Sequence, residues 1–338
     1  MIIALLAVCV FVTWTACHIY RRLAIHSQVI DHPNHRSAHE LPTPTGAGVV
    51  PVIVFYLALS CAAYAQLVST HVFLGLLSGI LVAGVGLIDD IRPLSWKIRV
   101  PAHFISAVWS IFWVGFPVLV IFDLNLDLGL AGNIFGVIAL VWLLNIYNFM
   151  DGIDGIAAGE TVFVCAAAII LSSGREFQDW TLVYLILLAV SSGFLIINWP
   201  GAKVFMGDAG SGFLGLMLGV FALAMSDLTV WTWMILLGWF ITDACLTILV
   251  RLLRGENITE SHSMHAYQHL TRSLGNIQTL TVILAVNLLW LLPVALLSEI
   301  FPSYGFLLLL LASLPLSVAQ FFCGAGQLQP RSGALRHR

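Results

Sequence analysis

Acidic residues stand at the ends of apolar segments in this sequence, where their charge is costly and where it could hold a cation. Asp89 and Asp90 close an apolar run in GLIDD. Adjacent carboxylates repel each other, and at the C-terminus of a helix they also oppose the helix dipole by about 0.3 to 1 kcal/mol. The pair is typical either of a solvated helix end or of a site at which a positive partner compensates the two charges.

A second polar group ends another apolar segment, in NIYNFMDGIDG. Asn145, Asn148 and Asp151 recur every three residues, so on a helix they drift by about 60° per step and stay within an arc of about 120°. Polar side chains are costly in an apolar helix, which favours a functional face. The glycines that follow break the helix, and Asp154 lies between them in the turn. Ordinary C-cap and turn residues are the alternative interpretation.

The third group lies in NWPGAKVFMGDAGSG. Asp208 stands between Gly207 and Ser211 just before an apolar segment, with Lys203 upstream. A glycine-rich turn that leads into a helix offers backbone N–H groups to a phosphate. The Walker pattern is absent, which argues against a nucleotide-hydrolysing P-loop. Asp208 could also be a simple N-cap.

Asp208, Asn148 and Asp151 together offer the oxygen ligands that suit Mg²⁺. This hard cation is typically held by one or two carboxylates and by substrate phosphates. We therefore predict a magnesium site, at which Mn²⁺ could substitute.

Three histidines form the fourth group, in SHSMHAYQHL. His262, His265 and His269 are spaced so that a helix would place all three within an arc of about 60°. They could bind a transition metal, donate to a phosphate or lie inert on a surface. The HExxH pattern of zinc proteases is absent. Asp243, inside the preceding apolar segment, is either a functional acid or the buried partner of a nearby arginine.

A fifth polar stretch, DHPNHRSAHELPTPTGAG, is predicted to be a loop by its prolines and glycines, and His35, Arg36 and His39 could face an anion there. The five groups combine acids, cations, histidines and a glycine-rich turn. Phosphoryl transfer requires this set, because acids hold the metal and cations neutralise the phosphates.

The elements that must position these groups are membrane helices. Apolar residues make up 60% of the chain and charged residues 9%, with a mean hydropathy of +0.98, far outside the range of soluble domains. We predict an all-α, polytopic integral membrane protein with about 11 (10–11) transmembrane helices, since each needs about 20 apolar residues. The predicted runs are 2–20, 47–66, 70–88, 101–121, 130–149, 157–173, 181–197, 212–227, 229–250, 278–298 and 304–322.

The distribution of Lys and Arg predicts the orientation. With the N-terminus outside, 13 of the 14 Lys and Arg residues lie in inner loops and only Arg175 lies outside, as cytoplasmic retention of positive charge requires. All five polar groups then face the cytoplasm. We predict a single transmembrane catalytic domain over 1–323 and a short cytoplasmic tail over 324–338, with no cleaved signal peptide.

Two other classes of protein fit the sequence less well. A transporter would need a polar path across the bilayer, yet the outer halves of the helices almost lack charge, and no internal repeat is visible. The intact acidic and glycine motifs argue against a non-catalytic scaffold. The six cysteines have no CxxC spacing and are predicted to be packing residues. In a membrane enzyme, one substrate is expected to be a lipid phosphate.

Five ordered motifs resemble those of the polyprenyl-phosphate N-acetylhexosamine-1-phosphate transferase superfamily, of glycosyltransferase family 4 type. They are DHPNHRSAHELPTP, GLIDD, NIYNFMDGIDG, NWPGAKVFMGDAGS and the histidine segment, and they cover nearly the whole chain. The SHSMHAYQHL form looks most like the bacterial members that initiate O-antigen or related surface polysaccharides. It looks less like the peptidoglycan branch, which has adjacent histidines there.

The resemblance implies a reaction and its partners. An N-acetylhexosamine 1-phosphate would pass from a cytoplasmic UDP-sugar to undecaprenyl phosphate in the bacterial inner membrane, with release of UMP. The same reaction in the peptidoglycan or teichoic-acid pathway is the alternative. The resemblance implies no nucleic-acid partner and is compatible with a homodimer.

The resemblance also implies site residues. Catalytic roles fall to Asp89, Asp90, Asp151, Asp154, Lys97 and Arg99. Substrate binding falls to Asn145, Asn148, Lys203, Gly207, Ser211, Arg36, His262, His265 and His269. Asp208 matches the Mg²⁺ ligand, and Asn148 and Asp151 match positions near the metal and the diphosphate. The choice between Lys97 and Arg99 near the phosphates stays open, as does the role of the acidic pair in metal binding, acceptor activation or base catalysis.

The first loop departs from the family pattern, because it carries Thr45 and Ala47 where relatives often have an arginine and a glycine. Arg36 is the candidate replacement for that positive charge. Direct attack by the lipid phosphate is the expected mechanism, with a covalent aspartyl intermediate as the alternative.

Overall fold

The computed structural model describes residues 2–33, 41–173, 179–224, 228–257 and 262–327. Arg36, His35, His39 and Arg175, which the sequence analysis singled out, lie outside these residues. The described chain is mostly helical, as predicted. Its α-helices are α1 Ile2–His26, α2 Val49–Tyr64, α3 Thr70–Leu76, α4 Ser78–Ile91, α5 Trp96–Val114, α6 Gly129–Met150, α7 Ile156–Leu171, α8 Asp179–Asn198, α9 Asp208–Leu223, α10 Val230–Leu236, α11 Gly238–Leu253, α12 Ala266–Leu274, α13 Asn276–Val286, α14 Leu292–Ile300 and α15 Gly305–Phe322.

Within the residues that the structure describes, four short strands form two antiparallel pairs. Strands β1 (Ile30–Asp31) and β2 (Thr43–Pro44) pair before α2. Strands β3 (Leu119–Ile121) and β4 (Leu124–Leu126) form a hairpin between α5 and α6, with Leu119 opposite Leu126. These strands are the small departure from the predicted all-α class.

The lengths of the helices agree with a multi-pass membrane protein. In the described part of the chain, six helical segments are long and apolar enough to cross a membrane, or seven if the bent pair of α10 and α11 counts as one span. Helices α2, α7 and α9 are apolar but have 16 residues each. Each therefore rises about 24 Å, less than the bilayer core of about 30 Å. The count of about eleven spans and the outside N-terminus stay predictions.

The predicted helical run 101–121 is wrong at its C-terminal end. Helix α5 starts earlier, at a cap where the Ser95 hydroxyl accepts from the Lys97 N–H, and ends at Val114. Gly115 follows with a φ of 73°, a left-handed conformation that glycine adopts without strain and that ends the helix. The β3–β4 hairpin takes up the remaining apolar residues.

Three other predicted runs are not continuous α-helices. The run 229–250 consists of α10 and α11, which meet at an angle of 76°. Glu299 anchors the start of α10, because its Oε1 accepts from the Thr229 N–H (3.0 Å) and the Thr232 hydroxyl (2.6 Å). The run 70–88 divides at Leu77 into α3 and α4, and a π-helical turn, Asn287–Leu291, joins α13 to α14.

Helix α9 lies at the centre of the bundle. Every residue from Ala209 to Leu223 is buried, and α4 and α6 pack along it. The approach of α6 depends on glycine, since a Cβ at Gly215 would lie 2.6 Å from the Cβ of Tyr147. Small residues at such contacts let helix backbones come close in a membrane. The start of α9 is thereby fixed relative to the ends of α4 and α6.

A buried polar pair joins α7 to the π-helical turn. Glu160 and Asn287 are only 2% and 1% exposed, and the Asn287 Nδ2 donates to Glu160 Oε2 at 2.7 Å. The remaining oxygens, Glu160 Oε1 and Asn287 Oδ1, have no hydrogen-bond donor. Because buried polar groups are costly without partners, this single bond determines whether Glu160 is tolerated in the interior.

We predict that Asn287→Leu lowers the free energy of unfolding by about 1–3 kcal/mol, because it leaves the Glu160 side chain buried without a donor. Thermal unfolding of the purified protein in detergent measures the effect. Thr281→Val is the matched control, since it removes an exposed hydroxyl bond to the Ile277 carbonyl in helix α13, which leads into the π-helical turn. An Asn287→Leu protein that unfolds at the wild-type temperature would contradict the prediction.

Candidate active site

The carboxylate of Asp90 caps helix α9 from the end of helix α4. Its Oδ1 accepts from the Asp208 N–H (2.8 Å) and its Oδ2 from the Ala209 N–H (3.2 Å). The first N–H groups of a helix have no partner within the helix and carry partial positive charge. Asp90 supplies both the missing acceptor and the matching charge, so the two predicted acids Asp90 and Asp208 are held side by side.

Glycines make this contact possible. Gly207 has a φ of 71°, and a Cβ there would lie 2.5 Å from both carboxylate oxygens of Asp90. A Cβ at Gly86 would lie 2.5 Å from the carbonyl carbon of Asp208. Gly207 therefore lets the Asp90 carboxylate reach the start of α9. Its role in substrate binding stays a prediction.

Arg99 bridges two of the acids. Its Nη1 lies 2.6 Å from Asp89 Oδ2 and 3.1 Å from Asp208 Oδ2. Asp89 Oδ1 also accepts from the Leu94 N–H, which holds the turn between α4 and α5. Lys97, the other candidate cation, is exposed and lies 5.9 Å from the centre of the Trp96 ring. We call Asp89, Asp90, Asp208 and Asp151, which comes from the end of α6, the acid cluster. The geometry therefore brings Arg99, rather than Lys97, into contact with this cluster.

The end of helix α6 supplies the other side of the cluster. The side chain of Asn148 lies beside Asp208, and Asp151 follows the last helical residue. Burial, together with the negative charges of Asp208, Asp90 and Asp154, raises the pKa of Asp151 to about 8. Asp151 is therefore largely protonated at neutral pH unless a cation joins the cluster.

Two more predicted residues of this segment lie away from the cluster. Asn145 turns back along α6, where its Nδ2 donates to the Val141 carbonyl at 2.6 Å. Asp154 Oδ2 accepts from the N–H groups of Gly201 (3.0 Å) and Ala202 (3.1 Å). Asp154 thus ties the turn after α6 to the loop before α9, a positioning contact that its predicted catalytic role did not include.

Asn198 is a positioning residue that the sequence analysis missed. Its Oδ1 accepts from the Gly155 N–H (2.9 Å) and its Nδ2 donates to the Val204 carbonyl (2.9 Å). It therefore joins the same two loops as Asp154. The sequence signal for this residue was a polar side chain at the end of an apolar segment, in NWPG.

The first loop pairs with the residues just before the acid cluster. The Phe205 N–H donates to the Pro44 carbonyl (2.7 Å), and the N–H groups of Ala47 and Gly48 donate to the carbonyls of Phe205 (3.0 Å) and Met206 (2.8 Å). The carbonyl of Thr45 accepts from the Tyr20 hydroxyl at 2.8 Å. The loop that lacks the expected arginine therefore contributes backbone pairing to the site.

Two predicted substrate-binding residues of the third group differ in exposure. Lys203 is exposed, with its backbone N–H bonded to the Ile197 carbonyl. Ser211 is buried, and its hydroxyl donates to the Gly207 carbonyl at 3.0 Å. Lys203 is free to meet a ligand, whereas the Ser211 hydroxyl already serves the first turn of α9.

The predicted helical arc of three histidines is wrong. Helix α12 begins at Ala266, so only His269 lies on it, while His262 and His265 precede it. The rings of His262 and His265 nevertheless lie 5.0 Å apart. Burial, together with the electrostatic effects of the neighbouring His265 and Arg251, lowers the pKa of His262 to about 4, which keeps its imidazole neutral at pH 7.

Asp243 lies beneath the histidines, and its partners differ from the predicted arginine. Both carboxylate oxygens accept backbone N–H groups at the start of α12. Its Oδ1 also lies 3.4 Å from Nδ1 of His265. The start of α12 is thus capped by an acid that is 23 residues earlier in the chain and by a local pair, in which Gln268 Oε1 accepts from the His265 N–H at 3.1 Å.

The acid cluster suits a divalent cation. Asp89, Asp90, Asp151 and Asp208 meet with one bridging arginine, so negative charge is in excess. Among the described residues, no three His, Cys, Asp or Glu side chains converge to hold a metal without further ligands. Mg²⁺ commonly binds in this way, through one or two carboxylates and the phosphates of a substrate. That Asp208, Asp151 and Asn148 hold such a cation stays a prediction.

Comparison with known proteins gives a consistent family. A sequence profile described as glycosyl transferase family 4 matches residues 72–226, the segment that carries the acid cluster. The probable undecaprenyl-phosphate N-acetylglucosaminyl 1-phosphate transferase of Bacillus subtilis (strain 168) is 28% identical, over 75% of this chain and 72% of that protein.

Two further relatives are named for different transfer activities. The decaprenyl-phosphate N-acetylglucosaminephosphotransferase of Mycobacterium tuberculosis (strain CDC 1551 / Oshkosh) is 31% identical, over 61% of this chain and 56% of that protein. A phospho-N-acetylmuramoyl-pentapeptide-transferase of Streptococcus pneumoniae (strain CGSP14) is 30% identical, over 64% of this chain and 69% of that protein.

We predict that divalent-metal binding strengthens as pH rises to about 8. The raised pKa means that Asp151 is protonated below that value, and the metal must displace this proton, which weakens binding by about tenfold per pH unit. Electron paramagnetic resonance of free Mn²⁺ at pH 6, 7 and 8 measures the affinity. Asp151→Asn should reduce the dependence to the part that comes from Asp208, whose pKa is raised to about 7 by burial and by the neighbouring Asp89 and Asp90. Asp127→Asn, at the other end of α6, should leave the dependence unchanged. Wild-type binding that is independent of pH would contradict the assignment.

Proposed function

This chain belongs to glycosyl transferase family 4, and we propose that it transfers an N-acetylhexosamine 1-phosphate from a UDP-sugar to a polyprenyl phosphate, with release of UMP. The observation that carries the proposal is the meeting of four aspartates, one arginine and one amide at the ends of α4 and α6 and in the first turns of α5 and α9. The three relatives are all named for the transfer of a phosphosugar, which supports the same reaction class.

The proposed acceptor is undecaprenyl phosphate in the bacterial inner membrane, reached from the cytoplasmic side. The relatives named for undecaprenyl and decaprenyl phosphate support a long polyprenyl acceptor. The proposed pathway is the initiation of O-antigen or a related surface polysaccharide. The separated histidines of SHSMHAYQHL support it, whereas the muramoyl-pentapeptide transferase among the relatives keeps the peptidoglycan reaction as the alternative.

In the proposed reaction, an oxygen of the lipid phosphate attacks the β-phosphorus of the UDP-sugar. A new P–O bond forms to that oxygen, and the bond from the β-phosphorus to the oxygen that bridges the two phosphates breaks. UMP leaves with the bridging oxygen and its electron pair. A phosphate monoester has a second pKa near 6, so at neutral pH the acceptor is already ionised and needs no strong base.

The residues of the cluster have distinct parts in this reaction. Arg99 lies where it can neutralise charge on the diphosphate, because it already bridges Asp89 and Asp208. Asp208, Asp151 and Asn148 would hold Mg²⁺, which supplies further charge neutralisation on the phosphates when it is bound. Such preorganised charge is commonly the largest contribution to phosphoryl transfer.

The geometry favours direct attack over a covalent aspartyl intermediate. Both oxygens of Asp90 accept N–H groups of α9, and both oxygens of Asp89 accept from Arg99 or Leu94. A nucleophilic carboxylate would have to give up one of these bonds. Asp90 in particular would uncap helix α9 at the moment of attack.

We predict that Asp208→Asn lowers Mg²⁺-dependent UMP release by about 100-fold or more, because the cluster loses the carboxylate best placed for the metal. Release of UMP from a UDP-sugar and undecaprenyl phosphate is the measurement. Asp127→Asn serves as the control at the far end of α6. Wild-type turnover by Asp208→Asn would exclude Asp208 as the metal ligand.

The donor can be identified with the wild-type protein. Purified enzyme is offered UDP-N-acetylglucosamine, UDP-N-acetylgalactosamine, a 6-deoxy UDP-N-acetylhexosamine and UDP-N-acetylmuramoyl-pentapeptide, each with undecaprenyl phosphate and Mg²⁺. We expect UMP release with one of the hexosamine donors. Release with the muramoyl-pentapeptide donor alone would replace the proposed pathway by the peptidoglycan reaction, and release with none of them would contradict the proposed function.

A further inference from the structure

Asp243 is fully buried within helix α11 and determines where the next helix begins. Its Oδ1 accepts from the Ala266 N–H at 2.8 Å and its Oδ2 from the Tyr267 N–H at 3.0 Å. Both N–H groups belong to the first turn of α12, where no intrahelical acceptor is available. A carboxylate there does the work of an N-cap and matches the positive end of the helix.

Tyr267 extends this contact to the end of helix α6. Its ring is fully buried and stacks on the His265 ring, with 5.7 Å between the ring centres. Its hydroxyl donates to the Phe149 carbonyl at 3.1 Å. That carbonyl lies in the last turn of α6, where carbonyls have no partner within the helix. Asp151 follows two residues later in the chain.

Gly152 shows how closely the phenol fits this turn. A Cβ at Gly152 would lie 2.1 Å from the Tyr267 hydroxyl oxygen and 3.1 Å from its Cζ. The first contact is impossible for real atoms, and the second would need a shift of a few tenths of an ångström. The turn that carries Asp151 is therefore shaped against the hydroxyl of Tyr267.

We propose that Asp243 and Tyr267 are positioning residues that hold the Asp151 turn and His265 in a fixed relation for the transfer reaction. Asp243 fixes the start of α12, and α12 presents Tyr267 to the end of α6. The inference rests on the proposed function, since it assigns the link to that reaction. The hydrogen bonds of both side chains go to backbone groups and neighbouring side chains outside the four aspartates, so each residue acts through the groups it holds.

The link matters because the two sides of the site come from distant segments. Asp151 follows the end of α6, whereas His265 precedes α12. Tyr267 connects the two segments, because its hydroxyl donates to the Phe149 carbonyl of α6 and its ring stacks on His265. Supporting hydrogen bonds of this kind commonly change metal affinity or activity by about 10- to 100-fold when they are removed. Packing alone would give a smaller and less selective effect.

The first test is Tyr267→Phe, which keeps the ring and its stacking but removes the hydroxyl. We expect kcat for UMP release to fall and the Mn²⁺ dissociation constant to rise, each by about tenfold, with the KM for undecaprenyl phosphate unchanged. Tyr56→Phe is the matched control, because its hydroxyl donates to the Leu76 carbonyl at 2.7 Å, away from the acids. If Tyr267→Phe binds Mn²⁺ and turns over like Tyr56→Phe, the inference is wrong.

A second test uses the contact at Gly152. Gly152→Ala should lower kcat strongly in the wild-type background and much less in the Tyr267→Phe background, because the overlap with the hydroxyl oxygen is then absent. Equal losses in the two backgrounds would overturn the proposed fit between this turn and Tyr267.

Asp243→Asn tests the other end of the link. We expect a lower kcat and a weaker Mn²⁺ affinity, and a smaller loss from Tyr267→Phe when it is added to Asp243→Asn than when it is made alone. Additive losses would show that the two residues act separately. If Asp243→Asn does not fold, the Tyr267 and Gly152 variants decide the question. A wild-type protein that transfers no phosphosugar would refute the proposed function instead, whereas an active wild type with unaffected variants would refute only the link.

Discussion

The bond between the Asp90 carboxylate and the first N–H groups of α9 determines how the other acids can be arranged. It places the end of α4 against the start of α9, within hydrogen-bond distance of Asp208. Carboxylates that repel each other are thereby held together by a helix end that attracts them. Arg99 and Asn148 then complete the surroundings of Asp208. Without that helix end, the aspartates would separate until water screened their charges.

The loops around the cluster are fixed by polar side chains at helix ends rather than by apolar packing. Asp154 and Asn198 join the turn after α6 to the loop before α9. The first loop is held by backbone pairing with Phe205 and by the Tyr20 hydroxyl. Each contact satisfies a backbone group that would otherwise lack a partner near the membrane, where such groups are costly. The need of these backbone groups for hydrogen-bond partners therefore also places the loops beside the acids.

Much of the architecture could be predicted from the sequence, because it depends on local composition. Apolar length indicated the helices, and the order of five motifs indicated the family, which the comparisons confirm. The acids that end α4 and α6 or begin α9 were visible as charges beside apolar runs. Their meeting in space follows from the packing of α4 and α6 on α9, and the roles assigned to them stay predictions.

The remaining features depend on contacts between distant residues. The histidine spacing suggested one helix, but α12 begins only at Ala266, where the distant Asp243 accepts from the first N–H groups beside the local bond between His265 and Gln268. The positioning roles of Asn198 and Tyr267 depend on carbonyl and N–H groups far away in the sequence. Spacing along one segment carries no information about such partners. The bend between α10 and α11 was missed for the same reason, since Glu299 anchors the first of the two helices from another segment.

The short central helix has a consequence for how the protein meets different membranes. Because α9 is buried along its length, its neighbours screen it from lipid. A thicker or thinner bilayer acts on the outer helices, which can tilt, and leaves the depth of Asp208 to be determined by protein contacts. The plane of the lipid headgroups can therefore shift relative to the acids while the acids keep their geometry. Variation in lipid composition would thus change the height at which an acceptor phosphate arrives, and not the arrangement of the groups that receive it.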